Sequence, residues 1–145
     1  MCNSHRKAFT MLELVFVIVV IGILSAIAIP KFATTRDDAF VSRGKSTLAA
    51  VRSAIATERQ KRILRGDYTA INNLSNGASG RIFTKFNDDG DGNANNVLDY
   101  GLKNGTADGL WSKTGTTYTF HYQGGTCAFS LTSNRLTGIC TKFGD

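Results

Sequence analysis

From Phe9 to Ile29 the chain reads FTMLELVFVIVVIGILSAIAI, 21 residues in which Glu13 carries the only charge. Wound as an α-helix at about 1.5 Å per residue, the run spans ~31 Å, close to the hydrocarbon thickness of a bilayer. Leu, Val and Ile lie all round it, so it suits lipid or a bundle of like helices equally well. The other residues are polar, Gly-rich and without comparable runs, which divides the 145 residues into an apolar stalk and one small soluble head.

What precedes the run is not an ordinary secretory signal. Such a signal has a basic start, an apolar stretch of about 7–15 residues and a small-residue cleavage site after that stretch. Here His5, Arg6 and Lys7 are followed at once by small Ala8, and the apolar run begins only then. No A-x-A site follows the run, which ends in Pro30-Lys31-Phe32. A cut between Ala8 and Phe9, on the cytoplasmic side, removes residues 1–8 and leaves residues 9–30 as an anchor. Arg6 and Lys7 hold that end inside by the positive-inside rule. The three cysteines agree with this reading: Cys2 leaves with the leader, and Cys127 and Cys140 remain as a pair in a compartment that permits disulfides.

The segment Lys7-Ala8-Phe9-Thr10-Met11-Leu12-Glu13-Leu14, followed by VFVIVVIGILSAIAIPKF, resembles the class III leader and stalk of type IV pilins and type II secretion pseudopilins. The resemblance covers about residues 6 to 33, roughly a fifth of the chain, and sets Phe9, Glu13, Gly22 and Pro30 in register. One departure is Ala8, where the family has glycine; alanine is also small enough to sit beside the scissile bond. The resemblance implies clipping by a prepilin peptidase at Ala8–Phe9, N-methylation of the new Phe9 amine, docking on an inner-membrane assembly platform, and polymerisation with itself and other pilin-like subunits into a helical filament.

A carboxylate inside a bilayer costs at least a few kcal/mol, so Glu13 asks for a role. In an isolated subunit it lies about one turn from the cytoplasmic end, at the interface. In a filament it would be buried among neighbouring stalks and would need a counter-charge, for which the Phe9 amine is the obvious group. Gly22 and Pro30 are the weak points of the stalk, because proline within a helix removes a hydrogen bond and crowds the preceding turn. Either the helix melts locally between them and lets the stalk stretch, or Pro30 is an ordinary transmembrane kink.

Beyond Pro30 the pattern stays helical. Val41, Gly44, Leu48, Val51 and Ile55 recur at spacings of three and four, one apolar stripe on an amphipathic helix over residues 31–66. Lys61, Arg62 and Arg65 gather before Gly66, a fitting C-terminal cap, so one helix is expected over roughly 10 to 65. Residues 67–145 form the head. Its first part, to about 115, reads as loop, with a strand at Arg81 to Phe86; Thr117–Tyr122 alternates as a strand and Gly124-Gly125 follows as a turn. If Ser133-Asn134 is a two-residue hairpin turn, Leu131 faces Leu136, Phe129 faces Gly138 and Cys127 faces Cys140, all on one face. Opposed antiparallel residues lie ~4.5–5.5 Å apart at Cα, within disulfide range. A C-terminal disulfide also resembles the paired cysteines of many pilin heads. The fold class is α+β: a long helix packed on a small antiparallel sheet.

Asn87-Asp88-Asp89-Gly90-Asp91-Gly92-Asn93 is a candidate Ca²⁺ loop, with Asn87, Asp89 and Asp91 offering side-chain oxygens and Asn93 its carbonyl. It departs from an EF-hand, since Leu98 stands at the twelfth position and Asp99 comes one residue late. The formal charge of +6 falls to +4 once Arg6 and Lys7 leave, with 15 basic against 11 acidic side chains. The basic residues are scattered along the helix with no arginine–aromatic platform, so nucleic acid is not indicated as a partner. No P-loop, Rossmann glycine pattern, H-E-x-x-H or C-x-x-C occurs, and His121 lies on an alternating strand beside two tyrosines, which points to a structural part and no enzyme. The expected function is that of a filament subunit, first in the inner membrane with its head in the periplasm, then in a filament. A pseudopilin of a type II secretion or DNA-uptake system is the leading expectation. A surface pilin for adhesion or twitching and a non-polymerising membrane-tethered binding protein are its rivals.

Overall fold

A computed structural model describes residues 9–75, 80–87 and 95–144; at 30 and 32–34 it describes the backbone alone. The chain divides into two compact units, Met1–Arg36 and Asp37–Asp145. One helix, α1 (Met11–Leu64), contributes to both. Its first turn is set by Thr10, whose Oγ1 accepts the Glu13 N–H at 3.2 Å while its carbonyl accepts the Leu14 N–H. Thr10 and Glu13 have the spacing of a capping box, and the carboxylate stands at the positive end of the helix. At the other end Gly66 adopts φ 77°; its N–H bonds to the Ile63 carbonyl and the Asp67 N–H to that of Arg62, a Schellman closure.

In the first unit, Met11–Ile29 presents its apolar side chains outward on all sides. It is long and apolar enough to cross a membrane. In the second unit, Leu48, Val51 and Ile55 are buried on one stripe with Gly44, as the spacing requires, and Val41 is half-buried at its start. The stripe does not stop at Ile55. Its next steps are Glu58 and Arg62, both fully inside.

Four strands form an antiparallel sheet in the order β3 (Trp111–Thr114), β4 (Thr117–Tyr122), β5 (Gly125–Thr132) and β6 (Arg135–Thr137). A two-stranded ribbon, β1 (Arg81–Ile82) with β2 (Leu102–Lys103), lies beside β3, joined by a bridge from Asn104 to Trp111. The core between sheet and helix is aromatic. Phe83 meets Trp111 edge-on at 5.3 Å and stacks on Tyr118 at 5.2 Å, while Trp111, Phe120, Phe129 and Phe143 form a continuous run of rings, tilted except for the stacked Phe129–Phe143 pair. Gly44 lets this layer close on the helix: a Cβ there would lie 2.6 Å from the Phe120 ring.

The C-terminal hairpin follows the alternation of its sequence. Leu131 pairs with Leu136, and Cys127, Phe129 and Leu131 point inward while their neighbours face water. Ser133 and Asn134 take φ values of 50° and 62°, the left-handed pair of a type I′ turn. Asn134 also ties the turn down, its Oδ1 accepting the Ile71 N–H at 2.6 Å.

Three local expectations are corrected. The strand expected over Arg81–Phe86 ends at Ile82, because Phe83 adopts φ 56° and swings its ring under Trp111. The region expected to be loop up to about 115 contains β2 and β3. The turn after β4 is Gln123-Gly124, with Gly124 at φ 93°, and Gly125 is already paired with Tyr122.

Candidate functional site

The residues that define the N-terminal motif lie on one short stretch of backbone. Phe9 precedes the helix and is 79% exposed, Thr10 caps the helix, and Glu13 is exposed in its first turn. The carboxylate therefore stands one turn inside an apolar surface, displayed to whatever surrounds the helix. Ala8, the residue on the other side of the expected cut, lies outside the described residues. The helical backbone runs unbroken through Gly22 and Pro30. Among the described residues, and apart from the helix's own backbone, nothing comes within 4 Å of a Cβ built on Gly22.

In the head, Cys127 and Cys140 are joined in a disulfide, with their Cα atoms 5.3 Å apart, as the hairpin register requires. It fastens the segment that carries Phe143 and the last 3-10 turn, Thr141–Phe143, onto β5.

Of the candidate calcium ligands, Asp89, Asp91 and Asn93 lie outside the described residues. Asn87 is described, and its Oδ1 accepts the backbone N–H groups of Asn72 at 3.0 Å and Asn73 at 3.4 Å, while Nδ2 donates to the Ala70 carbonyl. Among the described residues no group of three or more His, Cys, Asp or Glu side chains converges.

Sequence reasoning missed the polar centre of the head. Glu58 and Arg62, one turn apart on the buried stripe, pair at 3.1 Å. Arg62 Nη2 donates to the Asn87 carbonyl at 2.7 Å, and the Glu58 carboxylate accepts the Asn95 side-chain amide at 3.0 Å. One ion pair on the helix thus grips the residues on both sides of the Asp/Asn/Gly loop. Its sequence signal is a carboxylate four residues ahead of a guanidinium, in phase with the apolar stripe.

Two other polar groups are shaped by the core. Burial pushes the Tyr118 hydroxyl above its ordinary value of 10, against the Leu74 N–H that it accepts at 2.8 Å. Lys113 is lowered by partial burial; its Nζ donates to Asn73 Oδ1 at 2.7 Å and lies 5.8 Å from the centre of the Tyr118 ring. His121 Nε2 meets Ser112 Oγ at 2.8 Å, a bond from β4 to β3.

A family model described as the prokaryotic N-terminal methylation motif matches residues 3–29. The type IV narrow pilus major component of Thermus thermophilus is 44% identical over 82 residues, which cover 55% of this chain and 71% of that protein. The chain belongs to the type IV pilin family. A type IV major fimbrial protein of Dichelobacter nodosus is 44% identical over 55 residues, 38% of this chain and 35% of that protein. No solved structure matches. As a pilin, the chain is a membrane-anchored subunit that assembles with other pilin subunits into a filament, and its exposed apolar helix is the part that both settings can cover.

Proposed function

We propose that this pilin is the building subunit of a surface type IV pilus, clipped at Ala8–Phe9 by a prepilin peptidase, methylated on the Phe9 amine and loaded from an inner-membrane platform. The supporting observation is the match over most of the length of a protein named as the major component of a pilus. The pseudopilin reading rests on modest chain length and on the Asp/Asn/Gly loop, most of which lies outside the described residues.

Assembly turns on Glu13. When a subunit leaves lipid for a bundle of stalks, its carboxylate is surrounded by apolar side chains and needs a cation, which the Phe9 amine of a neighbouring subunit or its own chain supplies. Glu13→Ala leaves insertion intact and removes filaments; normal filaments from that variant would refute the pairing. Gly22 and Pro30 are where the stalk yields when it is packed or pulled.

Intact mass tests the whole reading. In the sheared surface fraction we expect a chain lacking residues 1–8 and carrying one added methyl group. The same processed mass confined to membranes would make it a pseudopilin, and an unclipped chain would refute processing.

A further inference from the structure

A groove of about 430 Å³ runs between α1 and the outer edge of β6, lined by Arg52, Ile55, Asn134, Arg135 and Leu136 among others. Ile55 and Leu136, both buried, give it an apolar floor. Arg52 is fixed at its wall: Nε donates to the Leu136 carbonyl at 3.1 Å and the guanidinium lies 5.8 Å from the Phe129 ring centre. That bond occupies the edge carbonyl an added strand would need, so β6 is closed to strand pairing there. Arg52 thus lines the groove together with Arg135, whose guanidinium has no partner among the described residues. Among the described residues no acidic side chain lines the groove. It is a positively charged slot with a greasy base.

A matching knob stands on the same chain. Asp99 and Tyr100 are exposed on the bend before β2, Tyr100 at 84%, and neither has a partner among the described residues. The bend itself is held: Leu98 packs against the core, and the Gly101 carbonyl accepts Arg81 Nη1 at 2.8 Å. Asp99 and Tyr100 therefore present a carboxylate and a ring on a fixed base, ready to bind with little ordering cost. The ribbon carrying them adjoins β3, whereas the groove lies along β6, at the opposite edge of the sheet.

We propose that the Arg52–Arg135 groove receives the Asp99-Tyr100 bend of a second copy of this pilin, the carboxylate between the guanidiniums and the ring on Ile55. The inference rests on the filament reading above and specifies the head contact within it. A knob at one edge and its slot at the other make a heterologous contact, which propagates into an open helix instead of closing a dimer. Charge and shape agree: Arg favours bidentate carboxylate pairing, and a tyrosine contributes a large apolar area with a polar tip.

The test uses full-length chain in assembling cells. Arg135→Glu and Asp99→Arg, both at exposed positions, should each lower sheared filament yield by about tenfold, the scale of one lost close charge pair. Combined, they should restore it. A photo-crosslinking residue replacing Tyr100 should, in intact filaments, capture a peptide from β6 of a neighbouring subunit. Membrane levels of processed, disulfide-bonded subunit should stay unchanged throughout. Wild-type yield from both single variants, no rescue by the pair, or capture of a different segment would overturn the contact and leave the pilus reading standing. Absence of filaments from the wild-type chain would overturn both.

Discussion

Replacing Glu58 with alanine tests the buried polar centre of the head. Its carboxylate pairs with Arg62 at 3.1 Å, and the two side chains are 2% and 1% exposed. After Glu58→Ala, Arg62 keeps the carbonyls of Asn87 at 2.7 Å and Thr69 at 3.5 Å, but its buried charge loses the carboxylate that pairs with it. Asn95 loses the acceptor of its side-chain amide as well. Breaking a buried pair from one side costs about 3–5 kcal/mol. For a domain whose whole stability is about 5–15 kcal/mol, that is about a fifth of the total or more. At ~4 °C per kcal/mol the melting midpoint should fall by about 12–20 °C.

Urea unfolding of the compact unit Asp37–Asp145 measures the effect, read as a lower midpoint at unchanged slope. Because the pair is shielded from water, the loss should be nearly the same at low and high salt. Glu58→Leu combined with Arg62→Met removes both charges and should recover most of the stability, since apolar replacement of a whole buried pair is often neutral or better. A loss below about 1 kcal/mol for Glu58→Ala, or one that vanishes in salt, would mean the pair is solvated and the reasoning is wrong.

Gly44→Val should destabilise the head by about 1–3 kcal/mol in the same assay, because even a Cβ lies 2.6 Å from the buried Phe120 ring. Tyr118→Phe leaves the buried Leu74 N–H without its acceptor and should cost about 1–3 kcal/mol at neutral pH. It should also change the alkaline limb. With the native tyrosine raised above 10, its stabilisation is complete below pH 10 and is lost as pH climbs through the folded value, so the phenylalanine variant should lose less stability there. Opening Cys127–Cys140 with a reductant, or by Cys140→Ser, should cost roughly 3 kcal/mol for a loop of about 14 residues, seen as a lower urea midpoint.

How much of this was legible depended on whether neighbours in sequence were neighbours in space. The hairpin turn, the Leu131–Leu136 pairing and the Cys127–Cys140 disulfide could be read from the sequence, because a two-residue turn and a period of two leave one register that buries Phe129, Leu131 and Leu136 together, although β6 itself ends at Thr137. Helix α1 was legible for the same reason, its spacing and its Gly66 cap both being local. The Glu58–Arg62 centre was not, although the stripe through Gly44, Leu48, Val51 and Ile55 steps straight onto it. Charged residues near a helix end read as a solvated face, and the partners that make their burial tolerable, among them the Asn87 carbonyl and the Asn95 amide, come from far along the chain. Phe83 was equally hidden: no rule of spacing places a phenylalanine at positive φ, and the ring contacts that hold it there come from Trp111 and Tyr118. β2 and β3 exist through pairing with partners elsewhere in the chain, so their own composition says little.

The division of labour along α1 follows from what each solvent can reward. From Met11 to Ile29 the exposed side chains are nearly all aliphatic or aromatic. Lipid tails are as apolar as those side chains, so moving the stalk from a bilayer into a bundle of stalks gains little hydrophobic free energy. A uniformly apolar cylinder also has no preferred rotation or height, and could slide by a turn at small cost. Position must come from something that is not uniform. In the stalk the one such group is Glu13, a carboxylate displayed one turn from the capped end; in the assembly proposed above, one height brings it a counter-charge and others leave it buried alone. In the head it is a polar surface of fixed shape. On that proposal the apolar run decides where the subunit resides, and the few polar groups decide how it is stacked. A single carboxylate can then matter more to assembly than any one of the many aliphatic residues around it.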